Sequence, residues 1–228
     1  MGWKSFAASV GLAVALSAAP VSTNTAHAAT GVCTGVNYCK VVTRVDVDGD
    51  GRADQVGLVQ RSKNPAGSKV TVRVRTAKGR TMSTSHEAWW YGSTWHGAAK
   101  VDGVAGHDLV VGTSVGAHLM TFRIITVRSG KLVTLKAPGN QNRWTIDSSY
   151  SYNEGWTRSV SKKGVVSMTY RGAVRSSSSR HRLVISRYTW RSGSWSRIST
   201  QKSTVSDRTA WNVGGWRVSP LKQFPTFR

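Results

Sequence analysis

Val45-Asp46-Val47-Asp48-Gly49-Asp50-Gly51-Arg52-Ala53-Asp54 is the stretch on which the reading of this chain turns. The 228 residues carry 32 Lys+Arg against 10 Asp+Glu, yet four of those acids fall within nine positions here. Carboxylates this close repel one another, and a folded chain keeps them together only where a cation or a set of donors sits among them. The spacing D-x-D-x-D-G-x-x-D converges alternate Asp side chains on one point. Gly51 allows a left-handed turn, and Asp54 closes the far side with oxygen. Hard oxygen ligands at this spacing point to calcium, Ca2+, as the cofactor. Arg44 and Arg52 are the alternative, since they can neutralise the cluster unaided.

Working outward, Lys40-Val41-Val42-Thr43-Arg44-Val45 enters the loop and Gln55-Val56-Gly57-Leu58-Val59-Gln60 leaves it, both β-type. An EF-hand would have helices on both sides and Glu at its twelfth position, which here, counting from Asp46, is Gly57. The loop therefore joins strands. Lys69 to Arg75 alternate basic and apolar up to a turn at Lys78-Gly79, so one face is buried and the other is a row of cations. After Trp89-Trp90-Tyr91 the pattern restarts. A shift of 54 sets Asp48 on Asp102, Gly49 on Gly103 and Asp54 on Asp108, an internal repeat. Lys100 and Val104 stand where Asp46 and Asp50 would be, so the second copy is expected to keep the loop shape without calcium. Strands over Leu119 to Arg128 and Lys131 to Lys136 follow, turning at Ser129-Gly130. A third cycle reads as Trp156 to Ser161, Val165 to Arg171, Arg182 to Trp190 and Trp195 to Thr200, with Ser176 to Ser179 as a flexible connector. The fold class is all-β, with two to three four-stranded antiparallel units at about 38–90, 91–138 and 144–202.

The ends read differently. Lys4, an apolar run from Phe6 to about Ala19, Pro20 and Ala26-His27-Ala28 make a secretory signal over 1–29 with cleavage near Ala29 or Thr30. The run is shorter than the ~20 apolar residues a membrane span needs, so no transmembrane segment is expected. That leaves a single β domain over 30–219 and a loose tail over 220–228. The product would be secreted, unanchored and monomeric, with the cell wall as one destination. Cys33 and Cys39 are the only cysteines, and in an exported protein they read as a local disulfide. A metal-binding pair is the alternative, although no Cys or His partner lies nearby. The formal charge of +22 favours polyanionic partners: teichoic-type polymers, acidic polysaccharide, phospholipid head groups or nucleic acid.

Catalytic motifs are sparse. Gly112-Thr113-Ser114-Val115-Gly116 matches G-x-S-x-G, with Asp147 and His181 following in hydrolase order. A nucleophile elbow needs a helix after the Ser, whereas Leu119 to Val127 alternates as a strand, so Ser114 reads better as a strand-end turn. His86-Glu87 opens like a zinc-protease motif but has Trp90 where the second His belongs. His96, His107, His118 and His181 share no spacing. The acids outside the loop, Glu87, Asp102, Asp108, Asp147, Glu154 and Asp207, make no local pair. From Thr157 to Arg228 there are fifteen Lys+Arg and one acid, interleaved with Tyr170, Tyr188, Trp190, Trp195, Trp211 and Trp216. Planar rings that stack beside guanidinium groups suit a sugar or single-stranded nucleic-acid surface, with Trp190, Trp195, Arg182, Arg187 and Arg191 as the candidates. Cross-strand packing is the competing reading of the tryptophans. No helix-turn-helix or zinc finger is visible.

An Asp loop between two β-strands, repeated every 54 residues and followed by a strand such as Asp108-Leu109-Val110-Val111-Gly112, resembles the FG-GAP or VCBS repeats of the integrin α-chain propeller and of many exported bacterial proteins. The resemblance covers about 38–138. It implies that each unit is a four-stranded propeller blade, with calcium held by the side chains of Asp46, Asp48, Asp50 and Asp54 and the backbone carbonyl of Arg52. Two to three units cannot close a propeller, which needs four to eight blades, so the units are expected to stack as an open β domain. Together with the basic charge, the resemblance makes the expected function binding at the cell exterior, to an anionic envelope polymer or polysaccharide. Nucleic-acid binding and a hydrolase using Ser114 are the alternatives.

Overall fold

Alternating apolar residues make the strands, and neighbours along the chain pair antiparallel almost throughout. The computed structural model describes residues 1–2, 31–61, 67–139 and 141–221. The body of the expected signal segment and residues 222–228 of the expected tail lie outside the described residues. Two units divide the chain, Met1–Thr30 and Gly31–Arg228, and the architecture is that of the second.

β1 (Cys39–Val45), β2 (Asp54–Val59), β3 (Ser68–Arg75) and β4 (Thr81–Ala88) form a four-stranded sheet in that order. In β3 the alternation is literal: Val70, Val72 and Val74 are buried, and the residues between them are not. β5 (Trp95–Ala99), β6 (Asp108–Val115), β7 (Leu119–Arg128) and β8 (Lys131–Leu135) repeat the arrangement, as the 54-residue shift predicts. β10 (Tyr152–Val160), β11 (Val166–Arg175), β12 (Arg180–Arg191) and β13 (Ser194–Ser206) make a third meander. The second and third units are not separate sheets. β7 forks: its Leu119–Phe122 end pairs with β9 (Trp144–Ser148), its Ile124–Arg128 end pairs with β8, and β9 carries the ladder on to β10. The result is one ten-stranded sheet beside the four-stranded one, and among the described residues neither closes into a barrel or propeller.

β6 is the wall between two cores. Leu109 and Val111 face Val56, Leu58, Val70, Val72 and Val74 of the first sheet. Val110, between them, faces the other way, into a core with Phe122, Ile124, Trp144, Trp156, Met168 and Trp216. A strand buried on both faces reads as a continuous apolar run, as Leu109-Val110-Val111 does. After β13 a short helix, α1 (Asp207–Trp211), is capped by Ser206, and β14 (Gly215–Arg217) then adds parallel to β10 and delivers Trp216 to that core. There its ring stacks on Phe122 with centroids 5.0 Å apart.

The Cys33–Cys39 disulfide is formed and lies on β2. A Cβ at Gly57 would sit 3.1 Å from both sulfurs, which is why glycine occupies that position. The serine tract, expected as a flexible connector, is the hairpin loop between β11 and β12. The N–H groups of Ser176 and Ser177 donate to the Arg180 carbonyl, and Arg175 Nη1 donates to the carbonyls of Ser177 and Ser178. No described helix is long and apolar enough to cross a membrane.

Candidate functional site

β1 and β2 hold the acidic loop between them, with Val45 in register with Asp54. Carboxylate oxygens of Asp46, Asp48 and Asp50 lie within 4.8 Å of one another. Each also fastens its own loop. Asp46 accepts the Gly49 N–H at 2.7 Å and the Gly51 N–H at 3.0 Å, Asp48 accepts Asp50 N–H at 3.2 Å, and Asp50 accepts Arg52 N–H at 3.0 Å. Left-handed backbone at Gly49 (φ 84°) and Gly51 (φ 81°) reverses the chain. Burial, with the charges of Asp54, Asp50 and Asp46 adding to it, holds the Asp48 carboxyl above its ordinary value. Asp50 moves the other way, because the Arg52 N–H and the Lys78 ammonium, 3.1 Å away, favour its charged form. Convergent carboxylates on glycine-reversed backbone fit a hard cation, and these three aspartates can hold a metal ion.

Asp54, the fourth carboxylate of the spacing, is engaged by backbone donors. It is 1% exposed, its Oδ2 accepts the N–H groups of Val47 at 2.8 Å and Asp48 at 3.3 Å, and its Oδ1 accepts Ala77 N–H at 2.8 Å. It ties the loop to itself and to the β3–β4 turn. The second copy reproduces this bonding. Asp108 Oδ2 accepts Val101 N–H at 2.7 Å and Asp102 N–H at 3.4 Å, and Asp102 accepts Val104 N–H at 2.8 Å. Where the first loop gathers carboxylates, the second has the Arg128 guanidinium ion-paired with Asp102. Burial pushes the Asp108 carboxyl up, and the Asp102 charge beside it adds to the shift. The two loops dock on each other. His107 N–H donates to the Asp46 carbonyl at 2.7 Å, and its Nδ1 lies 2.9 Å from the same oxygen.

Among the described residues, two adjoining cavities open between the second and third units. The larger, about 530 Å³, lies between the β7–β8 pair and the β12–β13 turn and is lined by Arg128, Lys136, Trp190 and Trp195 among others. Trp190 and Trp195 are cross-strand partners and meet edge to face at 5.2 Å. Trp195 also donates its indole N–H to the Lys136 carbonyl at 2.7 Å and packs edge-on to Trp144, so the pair packs across strands while lining the cavity. Arg128 lies 6.0 Å from the Trp190 ring centroid. The expected arginines do not gather here. Arg182 lines a shallow groove with Lys202, nine residues along β12 from Arg191 and therefore ~30 Å away, and Arg187 is exposed between them.

The smaller cavity, about 200 Å³, shares Ala137 with the first and is lined by Gln141, Arg143, Glu154, Trp156, Tyr170 and Tyr188 among others. Tyr152 Oη donates to Glu154 Oε2 at 2.8 Å, Tyr170 Oη donates to the same oxygen at 3.0 Å, and the two phenol oxygens are 2.6 Å apart. Burial holds the Glu154 carboxyl above its usual range and pushes the Tyr152 phenol up to about 12. The register places Gly172 opposite Glu154, and a Cβ at Gly172 would run into the Tyr170 ring, so the glycine is what lets Tyr170 reach the carboxyl. Sequence reading named Glu154 and Tyr170 separately and missed their meeting. The signal present is Tyr152-x-Glu154-x-Trp156, whose period of two puts all three on one face of a strand.

The hydrolase constellation comes apart. Asp147 is hydrogen-bonded to His118 at 2.9 Å, and His181 lies 3.1 Å from Asp207, whose other partner is Arg175 at 3.0 Å. Ser114 sits on β6 in a bridge to Trp89. The three residues of the motif thus have separate partners. His86 is buried on β4, where desolvation and the Arg123 charge lower its pKa to about 4. Compared with family models, curated proteins and solved structures, the chain matches none.

Proposed function

We propose that this chain is an exported β-repeat binding protein that holds an anionic polysaccharide between its second and third units, with calcium as a structural ion in the acidic loop. The observation that carries the reading is the larger cavity: two tryptophans flanked by Arg128 and Lys136, on a chain of net charge +22. Indole rings give a sugar ring a flat apolar surface, and the adjoining cations favour carboxylate or sulfate substituents. Asp46, Asp48 and Asp50 would hold the calcium, which supplies the positive charge that keeps their carboxylates together and β1 and β2 in register. The integrin-like resemblance and the apolar segment at the start of the sequence support the exterior setting.

The test is binding to immobilised polygalacturonate, with single-stranded oligothymidine as the competing polyanion. Polygalacturonate should bind saturably at physiological salt, and Trp190→Ala should weaken it about tenfold, the loss of one aromatic anchor. Unchanged affinity in Trp190→Ala would refute the cavity as the site. Tighter binding to oligothymidine, lost steeply as salt rises, would replace the reading with nucleic-acid binding.

A further inference from the structure

We infer that the cavity around Glu154 is a second subsite, built for an uncharged, hydroxyl-bearing sugar ring adjacent to the unit held at Trp190; the ligand class rests on the polysaccharide reading. Neither charge sign is favoured here. The wall carries one cation, Arg143, against one carboxyl, Glu154, so attraction and repulsion offset for either sign and neither gains a net advantage. What remains is a neutral polar group, and the hydrogen-bond inventory matches a diol. Tyr152 and Tyr170 spend their two protons within the cluster, while the carboxylate and phenol oxygens keep lone pairs beyond those contacts, to which a ligand O–H can donate. Both phenol contacts fall on Oε2 of Glu154, leaving Oε1 as a further acceptor. Arg143 and Gln141 on the cavity wall supply donors for the ligand's own oxygens.

The apolar half of the site is equally built. Trp156 sends its indole N–H to the Thr145 carbonyl at 3.1 Å and packs against Tyr170 with centroids 5.2 Å apart, so its polar end is held and its ring contributes surface. A pyranose, with C–H groups on its faces and hydroxyls around its rim, suits a few convergent polar groups among aromatic walls. The position fits a linear chain. Tyr188 of this cavity and Trp190 of the larger one are alternate residues of β12, ~7 Å apart along the strand, and Ala137 borders both spaces.

The experiment titrates the full chain with cellotetraose, chitotetraose and maltotetraose by tryptophan fluorescence and calorimetry, at high salt to screen charge-driven binding. At least one neutral tetrasaccharide should bind saturably, and Tyr170→Phe and Glu154→Gln should each weaken it at least fivefold or so, because each leaves a polar partner unpaired. Tyr170→Phe removes one oxygen and keeps the ring on Trp156, and its melting temperature reports that the fold persists. Absence of binding to all three sugars at millimolar concentration overturns the subsite, as does unaltered affinity in both variants. Polygalacturonate separates the two readings. If only the subsite is wrong, that polymer still binds and is weakened by Trp190→Ala but by neither subsite variant. If the anionic-polymer reading is wrong, polygalacturonate fails at every salt while the neutral sugar still binds.

Discussion

Asp48 and Asp54 look equivalent in the sequence and differ in what holds them. Asp48 faces Asp46 and Asp50, whereas Asp54 is buried beneath three backbone donors. In wild-type protein calcium should raise the melting temperature and chelator lower it. Asp48→Ala should abolish that difference with a smaller effect in chelator. Asp54→Ala should cost about 3 kcal/mol in either medium, because buried N–H groups lose their acceptor. A wild-type melting curve indifferent to calcium would leave Lys78 and the backbone donors as the whole answer to the acidic cluster. His86 provides a second test. Its folded-state pKa, about 4, lies below the unfolded ~6.5, so between these values the unfolded chain binds more protons. Its contribution is fully present above about pH 6.5 and is lost as pH falls toward 4. His86→Gln should therefore narrow the gap between urea midpoints measured at pH 7 and pH 5; an unchanged gap would assign acid sensitivity to other groups.

Between elements, the decisive contact is loop against loop. Gly106 has φ 91°, and a Cβ there would collide with the Val47 carbonyl, while Gly164 in the β10–β11 turn has φ 77° and nothing within 4 Å. Gly106→Ala should lower the melting temperature by at least about 5 °C, against about half that or less for Gly164→Ala, where only left-handed strain is added. Equal losses would mean the loops do not depend on their docking. Legibility at this scale follows period. β3 and β7 alternate or run apolar over 8 and 10 residues and are recognisable from sequence. β14 has 3 residues, too few to show a period, so the sequence leaves Trp216 between a binding surface and packing, and its ring is fully buried. β9 was missed because its 5 residues, Trp144 to Ser148, are buried but for one and do not alternate. The third meander begins at Tyr152, before the Trp156 that signalled it.

Over the whole molecule, β6 gives one residue in two to each core, so the first sheet and the aromatic core are tied through a shared backbone rather than through a linker. The acidic loop was legible because its side chains lie within five positions of one another and the chemistry is local. The cavities were not, because Arg143, Glu154, Tyr170 and Tyr188 belong to four separate segments and meet only through strand register. Arg128 stands where these regions touch. It is the partner of Asp102 in the second loop and part of the lining of the larger cavity. The first loop has the Lys78 ammonium at its edge and would draw further positive charge from the surrounding medium if calcium fills it; the second has a guanidinium, covalently attached and permanent. An anion entering the cavity would thus meet a guanidinium already engaged, and the pull of that cation would be moderated by the carboxylate standing behind it.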